Sequence, residues 1–146
     1  MDNYPWLKNY DEGVPRTLEP YPQTTMIEVV DRSAKAKPYR AMFYFKGARL
    51  LYDDFVHQSD ALAAGLVALG VKRGDRVALL LPNTPQMVLS FHAIWKAGAV
   101  AVPINPLYTE RELEHALTEV DAAAVIVLNP FYQAVKNIQA RMTMGF

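Results

Sequence analysis

Trp95-Lys96-Ala97-Gly98-Ala99-Val100-Ala101-Val102-Pro103-Ile104-Asn105-Pro106 is the stretch of this chain whose reading decides the fold. It reads as the last turn of a helix, a glycine stop, a short buried strand and a proline-kinked exit. Lys96 puts a cation at the negative end of a helix dipole, and Gly98 supplies the left-handed residue that closes a helix without a Cβ clash. Residues 99–104 are small and apolar at consecutive positions, the pattern of a strand covered on both faces. Pro103 and Pro106 have no amide hydrogen to donate, so they stop any continuation.

The same rhythm extends on either side. Residues 76–81 (Arg-Val-Ala-Leu-Leu-Leu) read as a strand entered through the Lys72-Arg73-Gly74-Asp75 turn. Thr84 is then an N-cap with Pro85 at the first helical position, followed by Met87, Val88, Phe91 and Trp95 at helical spacing. Downstream, Thr109-Glu110-Arg111-Glu112 matches a capping box, in which Thr109 and Glu112 each satisfy the other's free backbone donor. Leu113, Leu117 and Val120 face inward from that helix. Residues 123–128 read as a third buried strand, and Asn129-Pro130 opens a last helix with Phe131, Val135 and Ile138 on its stripe.

Toward the N-terminus, residues 53–70 read as a helix capped by Asp53 or Asp54, with Phe55, Leu62, Leu66 and Leu69 on one stripe and Gly70 at its end. Residues 41–45 and 49–52 flank Lys46-Gly47 as a hairpin. Residues 25–37 form a helix with Met26, Val29, Val30 and Ala34 on one side. Residues 1–23 carry Pro5, Pro15, Pro20 and Pro22 among Tyr4, Trp6, Tyr10 and Tyr21, and read as an extended arm laid over a larger body. Apolar strands alternating with amphipathic helices call for a parallel sheet with crossover helices. The fold class is α/β, a partial parallel sheet with flanking helices, preceded by the arm and the hairpin.

A chain of 146 residues suits one domain, and its 51% hydrophobic and 21% charged content is that of a soluble globular protein. Fifteen basic residues balance fifteen acidic ones, so neither nucleic acid nor an anionic membrane is implied as a partner. With no cysteine, disulfide frameworks and thiolate chemistry are excluded, which fits a cytoplasmic protein. Asp2, Lys8, Asp11 and Glu12 exclude a secretory signal at the N-terminus. The longest apolar runs, such as residues 122–128, fall far short of the roughly 18 residues a membrane span requires.

Ligands of parallel sheets gather beyond the carboxyl ends of the strands. Those ends carry Pro82-Asn83-Thr84, Asn105-Pro106 and Asn129-Pro130, without a carboxylate to receive a phosphoryl group. No G-x-G-x-x-G follows a strand, no G-x-x-x-x-G-K-[ST] occurs, and no Ser/Thr/Gly-rich turn is present to cradle phosphate. His57, His92 and His115 fall on three different helices with no second ligand at metal spacing, so surface or core-edge roles fit them. Asp53-Asp54 reads as a helix cap and its solvated neighbour rather than an acid/base pair. Asn83 and Thr84 read as a turn and a cap. Met87, Phe91 and Trp95 read as a core stripe before an acyl tunnel, Tyr4, Trp6, Tyr10 and Tyr21 as an interface, and Lys72, Arg73 and Arg76 as a solvated turn. None of these is assigned a catalytic, cofactor-binding or metal-ligating role.

The opening stretch resembles the W-K-A-G-A-x-x-V-P-x-x-P signature of adenylate-forming enzymes, the acyl-CoA synthetases and their relatives. Leu50-Leu51-Tyr52-Asp53-Asp54-Phe55, Gly74-Asp75-Arg76-Val77-Ala78, Pro82-Asn83 and Tyr108-Thr109-Glu110-Arg111-Glu112-Leu113 follow in the order that family uses. The arm, with Trp6-Leu7, Glu12-Gly13-Val14-Pro15 and Tyr21-Pro22, is similar to bacterial long-chain fatty-acid:CoA ligases, as is Asn105-Pro106-Leu107-Tyr108-Thr109. The resemblance spans residues 4–140 and implies an ATP-dependent two-step ligase. Such enzymes join a fatty carboxylate to ATP as an acyl-adenylate, releasing pyrophosphate, then pass the acyl group to coenzyme A and release AMP, with Mg²⁺ neutralising phosphate charge. It also implies fatty acid, ATP and CoA as partners of the parent enzyme, in the cytoplasm or peripherally at the inner face of the membrane.

The family's Ser/Thr/Gly-rich phosphate loop, its adenine and ribose motifs and its C-terminal domain with the catalytic lysine align with no residue here. The expected organisation is an arm over residues 1–23 and an incomplete N-terminal subdomain over residues 24–146. Residues 141–146 do not lead into the apolar strand expected next, so a prematurely terminated or frame-shifted reading frame, or a cut piece of a longer chain, is expected. The chain alone is then expected to bind no cofactor, to be catalytically inactive, and to be marginally stable because its sheet leaves an edge unpaired. Two other readings stay open: a stand-alone flavodoxin-like binding module, and a docking part of a split synthetase.

Overall fold

In the computed structural model, which describes residues 4–142, the chain runs through five helices and five strands. In order these are α1 (Met26–Ala36), β1 (Ala41–Phe45), β2 (Ala48–Leu51), α2 (Tyr52–Ala68), β3 (Arg76–Leu80), α3 (Pro85–Lys96), β4 (Val100–Pro103), α4 (Glu110–Glu119), β5 (Ala122–Val127) and α5 (Tyr132–Arg141). Single 3-10 turns stand at Pro5–Asn9 and Asn129–Phe131.

Val77, Ala78, Leu79 and Leu80 form the middle strand of a parallel sheet ordered β4-β3-β5. A run of apolar residues without alternation suits only this position, because a central parallel strand meets helices on both faces. Ala78 and Leu80 pack on one face with Ile104 just after β4 and with Leu113, Leu117, Ala122, Val135 and Ile138 from α4, β5 and α5. Val77, Leu79 and Leu81 pack on the other with Leu66 and Ile94 of α2 and α3 and with Val71 and Ala99 of the turns that follow those helices. Burying each of these large side chains contributes roughly 1.5–3 kcal/mol, so the two layers supply most of the fold's stabilisation. A separate antiparallel hairpin pairs Phe45 with Ala48 and Tyr44 with Arg49 across Lys46-Gly47, both at positive φ.

The α/β class, the hairpin, the parallel sheet and the capping box at Thr109 stand in the structure, which adds a second capping box, between Thr25 and Glu28, at the start of α1. At Thr109 the backbone N–H and the hydroxyl both donate to Glu112 Oε2, each at 2.8 Å. Gly98 has φ +76°, and across it the Ala99 N–H donates to the Ile94 carbonyl at 3.0 Å, closing α3. A Cβ on Gly98 would lie 3.4 Å from Arg73 Cγ, because the Gly74 N–H donates to the Gly98 carbonyl at 2.9 Å and draws the two turns together.

Several expectations are corrected. β4 is an edge strand, not a strand covered on both faces: Val100 and Pro103 are exposed, because only β3 lies alongside it. Asp53 and Asp54 do not cap α2; the helix begins one residue earlier, with Leu51 at the cap position, and both carboxylates sit in the first turn, where the helix dipole favours them. Leu69 is 85% exposed, since it is the residue after the last turn of α2 and the chain reverses at Gly70. Met26 at the start of α1 is likewise exposed. Arg76 is no solvated turn residue: its Nε donates to the Val120 carbonyl at 2.8 Å, and Nη2 donates to the Asp121 carbonyl at 2.9 Å and pairs with the Asp121 carboxylate. The arm contains a 3-10 turn and is not uniformly extended. The expectations for residues 1–3 and 143–146 lie outside the described residues.

Candidate functional site

Beyond the carboxyl end of β3 the chain makes a tight sequence of turns. The Ile104 N–H donates to the Leu79 carbonyl at 2.9 Å and the Leu128 N–H to the Leu80 carbonyl at 3.3 Å, so the ends of all three strands are level. Asn105 accepts the Leu107 N–H on its side-chain Oδ1 at 3.0 Å, an Asx-turn that redirects the chain toward α4. Asn83 is exposed, and Thr84 occupies the cap position of α3 without a side-chain hydrogen bond to the helix. Against this end lies an apolar groove of about 320 Å³ lined by Phe43, Tyr44 and Phe45 of the hairpin and by Thr84, Met87 and Val88.

A second recess, of about 620 Å³, opens between α1, α2 and α3, and its lining is charged: Asp31, Lys35, Asp53, Asp60 and Lys96, with Trp95 at its side. Lys96 Nζ reaches Asp60 Oδ1 at 2.6 Å and Asp31 Oδ1 at 3.6 Å. Behind them His92 is 2% exposed, its ring 5.2 Å from that of Phe55 and its Nε2 3.9 Å from Asp31 Oδ1, beyond hydrogen-bond reach. Burial, with Lys96 adding to it, holds the His92 pKa below its ordinary value, outweighing the pull of Asp31 and Asp60.

The other candidates are dispersed. His57 Nδ1 lies 2.9 Å from the Asp53 carbonyl within one helix, and His115 lies beside Glu119 within another; both are exposed. His92 is in the core, deeper than the core-edge placement that its position between apolar residues suggests, because α1 and Phe55 close over it. Met87 and Phe91 pack on the α2–α3 layer as a core stripe does, whereas Trp95 is 39% exposed and stacks obliquely on Phe91 at 5.6 Å. Tyr4, Trp6, Tyr10 and Tyr21 are all exposed. The node of Asp31, Asp60, His92 and Lys96 is what sequence reasoning missed. His92 and Lys96 stand four apart on one helix face, a signal present in the sequence, but nothing in it links them to Asp31 sixty residues upstream.

Among the described residues no three of His, Asp and Glu converge to hold a metal ion, and no helix is long and apolar enough to cross a membrane. Among the described residues the strand ends offer amide and hydroxyl groups but no cluster of glycines.

A parallel sheet whose middle strand is sandwiched between helix layers, with the W-K-A-G-A signature at the turn from α3 into the edge strand β4, is the N-terminal architecture of adenylate-forming enzymes. Residues 30–144 match the AMP-binding enzyme family, and the chain belongs to it. Over 133 residues, 90% of this chain, it is 38% identical to the long-chain-fatty-acid–CoA ligase of Bacillus subtilis (strain 168). It is 34% identical over 134 residues to the enzyme of the same name from Yersinia pestis. The chain spans about a quarter of the length of these relatives, 24% in each case. Among solved structures, a fatty acyl CoA synthetase from Mycobacterium tuberculosis superposes with a TM-score of 0.70 at 32% identity, covering 78% of this chain and 23% of that one. The anthranilate CoA ligase AuaEII, in complex with anthranoyl-AMP, superposes with a TM-score of 0.76 at 25% identity, covering 81% and 23%.

Proposed function

We propose that this chain forms the arm (residues 1–23) and the incomplete first subdomain (residues 24–146) of an ATP-dependent long-chain fatty acid:CoA ligase. The observation that supports this best is the 38% identity to a curated ligase over 90% of the chain, matched to only 24% of that ligase. The parent reaction activates a fatty carboxylate as its adenylate, with pyrophosphate leaving, and then transfers the acyl group to the thiol of coenzyme A. In that reaction the part played by these residues is scaffolding. β3, β4 and β5 hold their carboxyl ends level, and the Asn83-Thr84 and Asn105-Pro106 turns shape the rim there. By itself the chain is inactive, since its described residues aim no donors at a developing phosphoryl or oxyanion charge.

The test is fatty-acid-dependent exchange of radiolabelled pyrophosphate into ATP, with palmitate and Mg²⁺. The purified chain alone gives background. Mixed with a Bacillus subtilis ligase lacking its corresponding first quarter, it restores exchange. Clear turnover by the chain alone refutes the scaffold role, and no restoration with a folded complement refutes its membership of a long-chain ligase.

A further inference from the structure

The hairpin lies across the start of α3 and leaves an apolar trough there. Phe43 and Phe45 alternate with Tyr44 along β1, so the two phenyl rings share the inner side while Tyr44, 80% exposed, faces solvent. On one side of the pair is the groove of about 320 Å³ that runs past Met87 and Val88. On the other is a hollow of about 210 Å³ that Leu50 and Leu89 help to line. Phe43, Phe45 and Pro85 line both, so the two are parts of one trough. Its second part brings together Arg49 of β2, Gln58 of α2 and Gln86 of α3; no carboxylate lines it, and Arg49 is its one charged side chain. None of these three side chains makes a hydrogen bond or an ion pair within the described residues. Arg76, Lys96 and Arg141, by contrast, are each held by carboxylates.

We propose that this trough is a binding site for an alkyl carboxylate, with the head at Arg49, Gln58 and Gln86 and the tail along Phe43, Phe45, Met87 and Val88. An apolar cleft with a few convergent polar groups at one end takes a ligand that is apolar along its length and polar at one tip. The sign of that tip follows from Arg49: a guanidinium with no carboxylate beside it in the lining attracts an anion. Its fork matches the two oxygens of a carboxylate in parallel, and the amide N–H groups of Gln58 and Gln86 supply donors for the remaining lone pairs. With one cation in the lining, the site neutralises a single negative charge, which suits a carboxylate better than a phosphate dianion. The tail adds affinity by burial, about fourfold for each CH₂ taken out of water. Binding here does not depend on the ligase reading, since pyrophosphate exchange succeeds or fails without it.

NMR titration of the ¹⁵N-labelled full chain with sodium decanoate at pH 7.5, below its micellar concentration, tests this. Amide shifts are expected over residues 43–50 and 84–89, and the Arg49 side-chain N–H signal is expected to move with them. Arg49→Gln and Val88→Glu, both at exposed positions, are each expected to weaken decanoate binding about tenfold or more. Hexanoate, with the same head and a shorter tail, and decanol, with the same tail and no charge, are expected to bind the wild type about tenfold or more weakly than decanoate. No saturable shift, shifts spread over the whole chain or gathered at the groove between β5 and α5, or undiminished binding in either variant overturns the proposal. Should a variant fail to fold, the wild-type comparison decides: hexanoate or decanol binding as tightly as decanoate overturns the site, and decanoate exceeding both by that margin at residues 43–50 and 84–89 supports it.

Discussion

The same substitution, glycine to alanine, should have opposite signs at two positions of this chain. Gly65 lies inside α2 with ordinary helical geometry, and a Cβ there meets no atom within 4 Å. Alanine at that site removes unfolded-chain entropy and stabilises by about 0.8–1 kcal/mol. Gly98 has φ +76°, where a Cβ crowds the following carbonyl at a cost of roughly 1–2 kcal/mol. The added methyl also meets Arg73 Cγ at 3.4 Å, a contact the flexible side chain relieves, so the backbone term dominates. The expected gap between the variants is about 2–3 kcal/mol. Urea unfolding reads it directly: with an m-value of about 2 kcal/mol/M, Gly65→Ala moves the midpoint up by about 0.4–0.5 M and Gly98→Ala moves it down by about 0.5–1 M. Midpoints shifted in the same direction would refute the assignment of Gly98 as the residue that closes α3 and sets the entry to β4.

Phe55→Ala should cost about 3–5 kcal/mol in the same assay, since the ring is fully buried between Phe43 and His92; a loss under 1 kcal/mol would show that hairpin and helices do not share this core. Thr109→Ala should cost about 1 kcal/mol through loss of the capping box at α4. Glu112 has a lowered pKa because the Thr109 backbone N–H and hydroxyl bind its carboxylate, so the unfolded chain takes its proton first as pH falls. The stabilisation is present above the ordinary value of 4.5 and lost below it, so Glu112→Gln, which removes the titrating carboxylate, should flatten the acid limb of the stability–pH curve there; an unchanged slope argues against the cap. Arg76→Met leaves the Val120 and Asp121 carbonyls short of a donor and should cost about 1–2 kcal/mol, read as a lower melting temperature.

How much of this was legible in the sequence follows from how local each cause is. Gly98, Pro85 and the Thr109–Glu112 box act within a few residues of themselves, and each element they delimit is where its spacing puts it. The run at residues 76–81 announces a strand with helices on both sides, because no other position tolerates it. The similar run at 99–104 does not announce that its strand lies at an edge, since strand order is a property of the sheet. Arg76 likewise reads as a turn residue until Val120 and Asp121 come into range, forty-odd positions away. The place of His92 was not legible: one imidazole between apolar residues looks like a core edge, and only the closing of α1 and Phe55 over it makes it the centre of a charged node.

The order β4-β3-β5 has a consequence for synthesis. The central strand is made first and its two neighbours later, each after an intervening helix. When β3 leaves the ribosome it has no partner on either side, and the most apolar segment of the chain stays unpaired until about 24 further residues have been added for β4 and about 46 for β5. Doubling the loop adds only about 0.6 kcal/mol of closure entropy, so the second pairing is scarcely harder than the first once its residues exist. The delay is set by elongation, at about 5–20 residues per second, and amounts to several seconds. For that interval the nascent chain carries a sticky strand in search of an edge, and trigger-factor-like holdases, or slow codons placed after β5 and not before it, would decide the yield of folded protein.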